Sequence, residues 1–327
     1  MASGSSLTVD VHLSARDLRA ALVADVRSGL GASPKTIPPV WFYDEEGSRL
    51  FEEITHLPEY YPTRAERRLL VEHASAIAAL SGATSLVELG AGACDKTRLL
   101  LDGLRDQGAL RSYTPVDVSD EFLRAAAAGL VEDYPGLAVH VVVGDFHRHL
   151  DRLPTADRRL VAFLGGTIGN LTPSERRRFL ADLGDTLAPG DHLLVGTDLV
   201  KDSRRIVAAY DDPGGVTAAF NRNVLRVLNR ELGAHFDVDR FGHVVRWSDA
   251  DRWIEMRLRS TCRQTVDIDD LGQRVAFAEG EEILTEISAR FTPDSIAGEL
   301  AEAGFVVDAA FGADEGEFLL TLARPLH

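Results

Sequence analysis

Apolar positions along this chain follow two patterns. From residue 86 onward, short apolar runs return at intervals of about one strand plus one helix: 86–89, 113–118, 139–143, 160–165 and 192–196. Each is too short for a helix and mostly apolar, so each predicts a short strand of an open α/β sheet. Thr63 to Leu80 carries Ala, Ile and Leu at a spacing that predicts a helix with one buried face. Two last runs, 305–311 and 318–323, predict a closing strand pair. Alternating strands and helices followed by a terminal pair predict an α/β fold with a Rossmann-like sheet.

Outside that stretch the pattern changes. Residues 1 to about 31 open with a polar Ser/Gly stretch and continue as an Arg/Asp-rich amphipathic helix. Ser33-Pro-Lys-Thr-Ile-Pro-Pro39 breaks it before Val40-Trp-Phe-Tyr43. Between Lys201 and Glu286 the alternation gives way to a helical stretch around Asn221–Arg230. Strand-like segments follow around His243–Trp247, Trp253–Leu258 and Thr261–Ile268. This predicts a second, smaller α+β domain made of residues 1–60 and 201–286, beside a sheet domain of 61–200 and 287–327. Arg176-Arg-Arg178 is expected on a solvated helix face.

The candidate chemistry lies at the strand ends. Glu88 stands two residues before the turn Gly90-Ala-Gly92, where glycines let the backbone turn sharply and approach a nucleotide-like ligand. A dinucleotide fingerprint would place a third glycine at position 95, but this chain has Asp95, whose carboxylate would repel a pyrophosphate at that helix end. A cofactor without phosphates fits better: S-adenosylmethionine (SAM), with its adenosine, ribose diol and cationic sulfonium. Asp117 ends the second strand, where a carboxylate can accept both ribose hydroxyls. Asp145 and Phe146 end the third, placed for the adenine amino group and ring. Singly, each aspartate reads as a cap or a loop residue. Three acidic strand ends, one βα unit apart, read as an adenosine site.

Composition narrows the partners. At 45% hydrophobic over 327 residues, the chain can bury the cores of two domains. Lys+Arg 35 against Asp+Glu 51 gives a net charge of -16, which opposes binding to nucleic acid. Two cysteines, Cys94 and Cys262, are too few for a disulfide framework, and the ten histidines show no metal-ligand spacing, so no metal is expected. No apolar run approaches the ~18–20 residues of a membrane span, and no signal-peptide layout opens the chain. The expectation is a cytoplasmic monomer acting on a small molecule.

Longer strings carry a resemblance. Pro38-Pro-Val-Trp-Phe-Tyr-Asp44, Leu57-Pro-Glu-Tyr-Tyr-Pro-Thr-Arg64, Phe163-Leu-Gly-Gly-Thr-Ile-Gly-Asn-Leu-Thr-Pro173, Gly196-Thr-Asp-Leu-Val-Lys-Asp202, Ala209-Tyr-Asp-Asp212 and Leu284-Thr-Glu-Ile-Ser288 span most of the chain. In these the sequence resembles the histidine-specific Nα-methyltransferases of ergothioneine biosynthesis, the EgtD family. The resemblance implies a class I methyltransferase sheet and three successive methyl transfers from SAM to the α-amine of L-histidine, giving hercynine. It implies SAM contacts at Gly90, Lys96, Asp117, Asp145 and Phe146, and histidine contacts at Tyr60, Asn170, Tyr210, Glu286 and Ser288. The turn Ala91-Gly-Ala-Cys-Asp95 departs locally from the family, where more Ser, Thr and Glu are expected.

The chemistry asked of these residues can be stated. The attacking amine must be neutral, and Asn170, which can donate and accept, suits an amino acid's amine and carboxylate. Tyr43 is placed as the residue that helps shed the ammonium proton. Glu286 accepting an imidazole N–H, Ser288 two residues on, and a bulky Met256 favour histidine over tryptophan. Plainer readings compete: Tyr60 and Tyr61 as rim packing, Asn170 as a left-handed turn, Glu286 as a solvent-facing strand residue, Met256 as core filling. Two other functions stay open, a SAM-dependent methyltransferase of another amino acid such as tryptophan and a SAM-binding sensor without catalysis.

Overall fold

The computed structural model describes residues 6–92, 94, 96–146, 148–312 and 316–326, with Glu121 and Phe122 described by their backbone alone. Asp95, on which the pyrophosphate argument rests, lies outside the described residues. The chain forms two compact units: Met1–Leu13 with Pro62–Val200 and Arg290–His327, and Ser14–Tyr61 with Lys201–Ala289.

The first unit is built on an eight-stranded sheet. In spatial order its strands are Ser6–Val11, Ala138–Val143, Ser112–Asp117, Ser85–Leu89, Arg159–Phe163, His192–Asp198, Phe318–Pro325 and Phe305–Gly312. The first six run parallel, Phe318–Pro325 runs antiparallel to its neighbour His192–Asp198, and Phe305–Gly312 pairs antiparallel with Phe318–Pro325. Every residue of Ser85–Leu89, Arg159–Phe163 and His192–Asp198 is buried, which is why these strands read as near-continuous apolar runs. From Ser85–Leu89 the chain steps outward to Ser112–Asp117 and Ala138–Val143, then returns to the other side as Arg159–Phe163. The order therefore reverses at Ser85–Leu89, and the carboxyl ends there open the crevice in which open α/β sheets bind ligands.

Two features differ from the sequence expectation. Residues 6–11, expected in the smaller domain, pair in parallel with Ala138–Val143 at the sheet edge. Five of the six are exposed, as suits a strand with one neighbour, and the apolar signal is correspondingly faint. Arg176 is not on a solvated face. It is buried, donates to Glu299 at 2.7 and 2.8 Å and to the Leu171 carbonyl at 2.7 Å, and stacks on Phe291. Triplet composition could not separate it from Arg177 and Arg178, which stay exposed.

The second unit holds a four-stranded sheet in the order Lys35–Thr36, Glu282–Ala289, Trp253–Ser260, Phe241–Ser248. Helices Ala15–Gly31, Glu45–His56 and Val216–Leu232 share its core with that sheet, around Phe42, Phe220, Val224, Leu228, Phe241 and Met256. Strand Glu282–Ala289 carries a β-bulge between Leu284 and Glu286.

Candidate functional site

In the sheet unit, the turn after Ser85–Leu89 is held by its neighbour strand. The N–H groups of Gly90 and Ala91 donate to the Val116 carbonyl at 2.8 and 3.2 Å. Gly90 and Gly92 have φ of 71° and 52°, left-handed values that glycine adopts without strain. The Gly92 N–H donates to one Asp117 carboxylate oxygen at 3.0 Å and the Ser119 N–H to the other at 3.1 Å. Burial raises the Asp117 carboxyl above the usual aspartate range, while these amides and that of Val118 pull it back. A carboxylate has about four lone-pair sites, so the two amides leave capacity for a ribose diol.

Phe146 follows strand Ala138–Val143 and is wedged between Phe163 and Phe179, with ring centroids 5.3 and 5.9 Å away. Added to Gly90, a Cβ would sit 3.8 Å from the Phe146 ring, so the glycine turn and the aromatic face are neighbours. Asp145 is anchored through its backbone, which meets His149 Nδ1 at 3.1 Å. Gly90, Asp117, Asp145 and Phe146 thus gather at adjacent strand ends, and their chemistry fits the adenosine of SAM.

Lys96 precedes helix Thr97–Asp106, and its ammonium pairs with Glu66 from helix Pro62–Ser81. Glu66 is fully buried, and its other oxygen accepts the Gly165 N–H at 2.8 Å. Room for that carboxylate comes from Gly196, where a Cβ would lie 2.2 Å from Glu66 Oε1. Gly165 and Gly166 have φ of 76° and 68°, and they lead into the single turn Thr167–Asn170. One buried carboxylate therefore fixes both the candidate SAM-binding lysine and the double-glycine turn that delivers Asn170. Asn170 itself is not among the residues with left-handed backbone. The sequence pattern predicts only a helix from Thr63 to Leu80 and does not single out Glu66; the signal available was an acidic residue facing inward on that helix.

Glu88, inside strand Ser85–Leu89, is also buried. It accepts from the Thr97 hydroxyl and from the Tyr113 hydroxyl, the latter at 2.7 Å, and the Tyr113 hydroxyl also lies 3.3 Å from Cys94 Sγ. Burial pushes its carboxyl up to about 7, against those two hydrogen bonds and the charge of Lys96.

Five of the six expected substrate residues belong to the smaller unit, and Asn170 belongs to the sheet unit. Tyr60 and Tyr210 rings meet at 6.1 Å, Phe51 lies 6.2 Å from Tyr60, and Tyr43 packs edge-on to Phe51 and Phe220. Both Tyr60 and Tyr61 are buried, not rim residues. The Tyr210 hydroxyl donates to Ser288 Oγ at 2.9 Å. Glu286 stands opposite Met256 in the strand pairing and is 7% exposed, so it does not face solvent. Met256, at 1% exposed, is part of the core as well as Glu286's cross-strand neighbour. Among the described residues, no group of His, Cys, Asp and Glu side chains could hold a metal ion, and no helix is long and apolar enough to cross a membrane.

Comparison with known proteins follows the same lines. Residues 22–325 match the family model described as histidine-specific methyltransferase, SAM-dependent. The chain is 52% identical to the histidine N-alpha-methyltransferase of Mycolicibacterium smegmatis, over 97% of this chain and 99% of that one. It is 51% identical to the protein of the same name from Mycobacterium tuberculosis, with the same coverage. A third relative, ergothioneine biosynthesis protein 1 of Neurospora crassa, is 35% identical over 61% of this chain and 23% of its own length. With a family model that spans nearly all of its length and a sheet whose strand ends suit the same cofactor, this chain belongs to the SAM-dependent, histidine-specific methyltransferases.

Proposed function

We propose that this protein transfers three methyl groups in succession from SAM to the α-amine of L-histidine, giving hercynine for ergothioneine synthesis. The observation that carries the substrate choice is the buried Glu286, set opposite Met256 and two residues from a Ser288 hydroxyl bonded to Tyr210. A carboxylate in such an environment favours an imidazole N–H, and an indole would gain less from it. Gly90, Lys96, Asp117, Asp145 and Phe146 hold SAM, and Tyr60, Asn170, Tyr210, Met256, Glu286 and Ser288 hold histidine.

When bound, SAM supplies a methyl group on a sulfonium for an in-line displacement. The residues align the amine, keep it neutral and exclude water, and alignment alone can lower a barrier by ~7–11 kcal/mol. Asn170 orients the amine and carboxylate, and Tyr43 helps the ammonium lose its proton. The sheet unit is the SAM-binding domain, and the smaller unit supplies the side-chain specificity. The protein works as a monomer in the cytoplasm, and its net charge of -16 keeps it off nucleic acid.

Mass spectrometry of a reaction with SAM and a panel of free amino acids tests this. The expected product is histidine gaining three methyl groups, with three equivalents of S-adenosylhomocysteine. Methylation of tryptophan in preference to histidine would reassign the substrate, and SAM binding with no methylated product would make the protein a sensor.

A further inference from the structure

We infer that Thr285, Asn221 and His243 are positioning residues: together they hold the bulge that turns Glu286 and Ser288 to the inner face of their strand, and so set selectivity for histidine. This rests on the reading of Glu286 and Ser288 as histidine contacts.

The strand pairing shows what the bulge does. Ile283 stands opposite Leu258 and Leu284 opposite Arg257; after the extra residue Thr285, Glu286 stands opposite Met256 and Ser288 opposite Ile254. Ile254, Met256 and Leu258 all point into the core. Side chains alternate along a strand, so a one-residue slip exchanges its two faces. Without the bulge, Thr285 would take the place opposite Met256, Ile287 the place opposite Ile254, and Glu286 would face Glu255 on the other side. One inserted residue decides whether the inner face presents a carboxylate and a hydroxyl or a threonine and an isoleucine.

A closed chain of buried polar contacts holds that residue. The Thr285 hydroxyl lies 2.7 Å from Asn221 Oδ1 and 2.9 Å from the Met256 carbonyl. Asn221, on helix Val216–Leu232 and 0% exposed, donates through Nδ2 to the Arg257 carbonyl at 3.1 Å and to His243 Nδ1 at 2.8 Å. The carbonyl partner fixes which way the amide points, so Nδ1 of His243 accepts and Nε2–H donates to the Tyr210 carbonyl at 2.9 Å. Burial lowers the His243 pKa, which favours this neutral form. The Tyr210 hydroxyl then returns to Ser288, on the strand where the chain of contacts began. Thr285 and Ser288 are thus tied through one helix and one imidazole, and Glu286 lies between them.

The test compares Thr285→Val, which keeps the branched shape and removes the hydroxyl, with Thr285→Ser, which keeps the hydroxyl. Steady-state kinetics should show the histidine KM rising roughly tenfold in Thr285→Val, because the one hydroxyl hydrogen shared between Asn221 Oδ1 and the Met256 carbonyl is lost. SAM affinity by calorimetry should stay unchanged, and Thr285→Ser should recover most of the loss. In a Glu286→Ala background the Thr285→Val effect on KM should shrink to the share carried through Ser288, since the rest acts through the Glu286 contact. If Thr285→Val fails to fold, His243→Gln, at the less buried link, should give the same split between histidine KM and SAM affinity. A normal histidine KM in Thr285→Val, or an equal effect with and without Glu286, overturns the inference and leaves the pocket reading standing. A normal KM in Glu286→Ala overturns the pocket reading itself, and this inference with it.

Discussion

The two units place their candidate functional residues by different rules. In the sheet unit, Gly90, Asp117, Asp145 and Phe146 each lie within a few residues of a parallel strand's carboxyl end, so chain order and spatial order nearly coincide. In the smaller unit, Tyr60, Tyr210, Met256 and the pair Glu286 and Ser288 come from separate segments, and a bulge and a closed set of hydrogen bonds align them. A nucleoside is read by the geometry common to open α/β sheets. One amino-acid side chain must be read by groups that leave a competitor's contacts unmet, and those need a particular register. The first rule tolerates substitution away from the strand ends; the second is exposed to changes at residues that never touch a ligand.

Glu66 is the strongest challenge to that contrast, because it brings a non-local contact into the sheet unit. Lys96→Met would leave its carboxylate fully buried with, among the described residues, the Gly165 amide as its remaining partner. Breaking a buried pair from one side costs about 3–5 kcal/mol of stability. Lys96→Met combined with Glu66→Gln should recover most of it, since the neutral amide can still accept from Gly165. Urea unfolding of both variants decides the matter. A single variant with the wild-type midpoint would mean that the pair contributes nothing, and that strand-end geometry alone shapes the SAM side.

Glu88 gives the second test, by pH. Its carboxyl is pushed up to about 7 by burial, from a usual 4.5. Between those two values the folded chain keeps a proton that the unfolded chain has lost. Stability from this group is therefore full below the lower value, falls as pH rises through the window, and levels off above about 7. Glu88→Gln cannot titrate and can still accept from Tyr113 and Thr97. Relative to wild type it should gain on the order of 3 kcal/mol between pH 5 and pH 8. Unfolding midpoints at the two pH values measure this, and a difference between the proteins that does not change with pH rules it out.

These contacts mark where the sequence stopped being informative. The central strands were legible because burial on both faces leaves unbroken apolar runs, and the candidate SAM residues stood out because they sit at the ends of those runs. Residues 6–11 were missed because an exposed edge strand has little apolar signal. Arg176 and Glu66 were underread because a charged residue on a helix looks solvated until its partner, more than a hundred residues away for Arg176, is known. Glu286 alternates with apolar neighbours, so from the strand alone it reads as facing water; the bulge at Thr285 reverses that, and nothing local announces it. The substrate side was therefore reached by resemblance, not by spacing.

A third test isolates the local rule. Asp117→Ala should weaken SAM binding by ~1.5–3 kcal/mol, the usual worth of a hydrogen bond to a charged group. Because the residue ends its strand and its burial disfavours the charge, the fold should survive. Calorimetry with SAM and with histidine should show the first affinity falling and the second unmoved. An unchanged SAM affinity in the folded variant removes Asp117 from the cofactor site.

The smallest effect expected is also the most specific to the smaller unit. Glu286→Ala removes the carboxylate proposed to accept the imidazole N–H, and Met256→Val, at the facing position, shortens the side chain beside it. A methylene or two in an apolar pocket changes discrimination by only ~1–3 kcal/mol, so Met256→Val alone should favour tryptophan by about tenfold relative to wild type. Joined to Glu286→Ala it should shift the ratio further, since histidine loses its acceptor as indole gains room. Both variants should bind SAM as wild type does, because neither lies in the sheet unit. The kcat/KM ratio for histidine over tryptophan, measured across the four proteins of this cycle, is the readout. If Met256→Val moves that ratio as much with Glu286 as without it, the two residues act independently. If neither variant moves it, side-chain recognition lies outside this strand pair, and the contrast between a generic SAM side and a register-dependent substrate side does not hold.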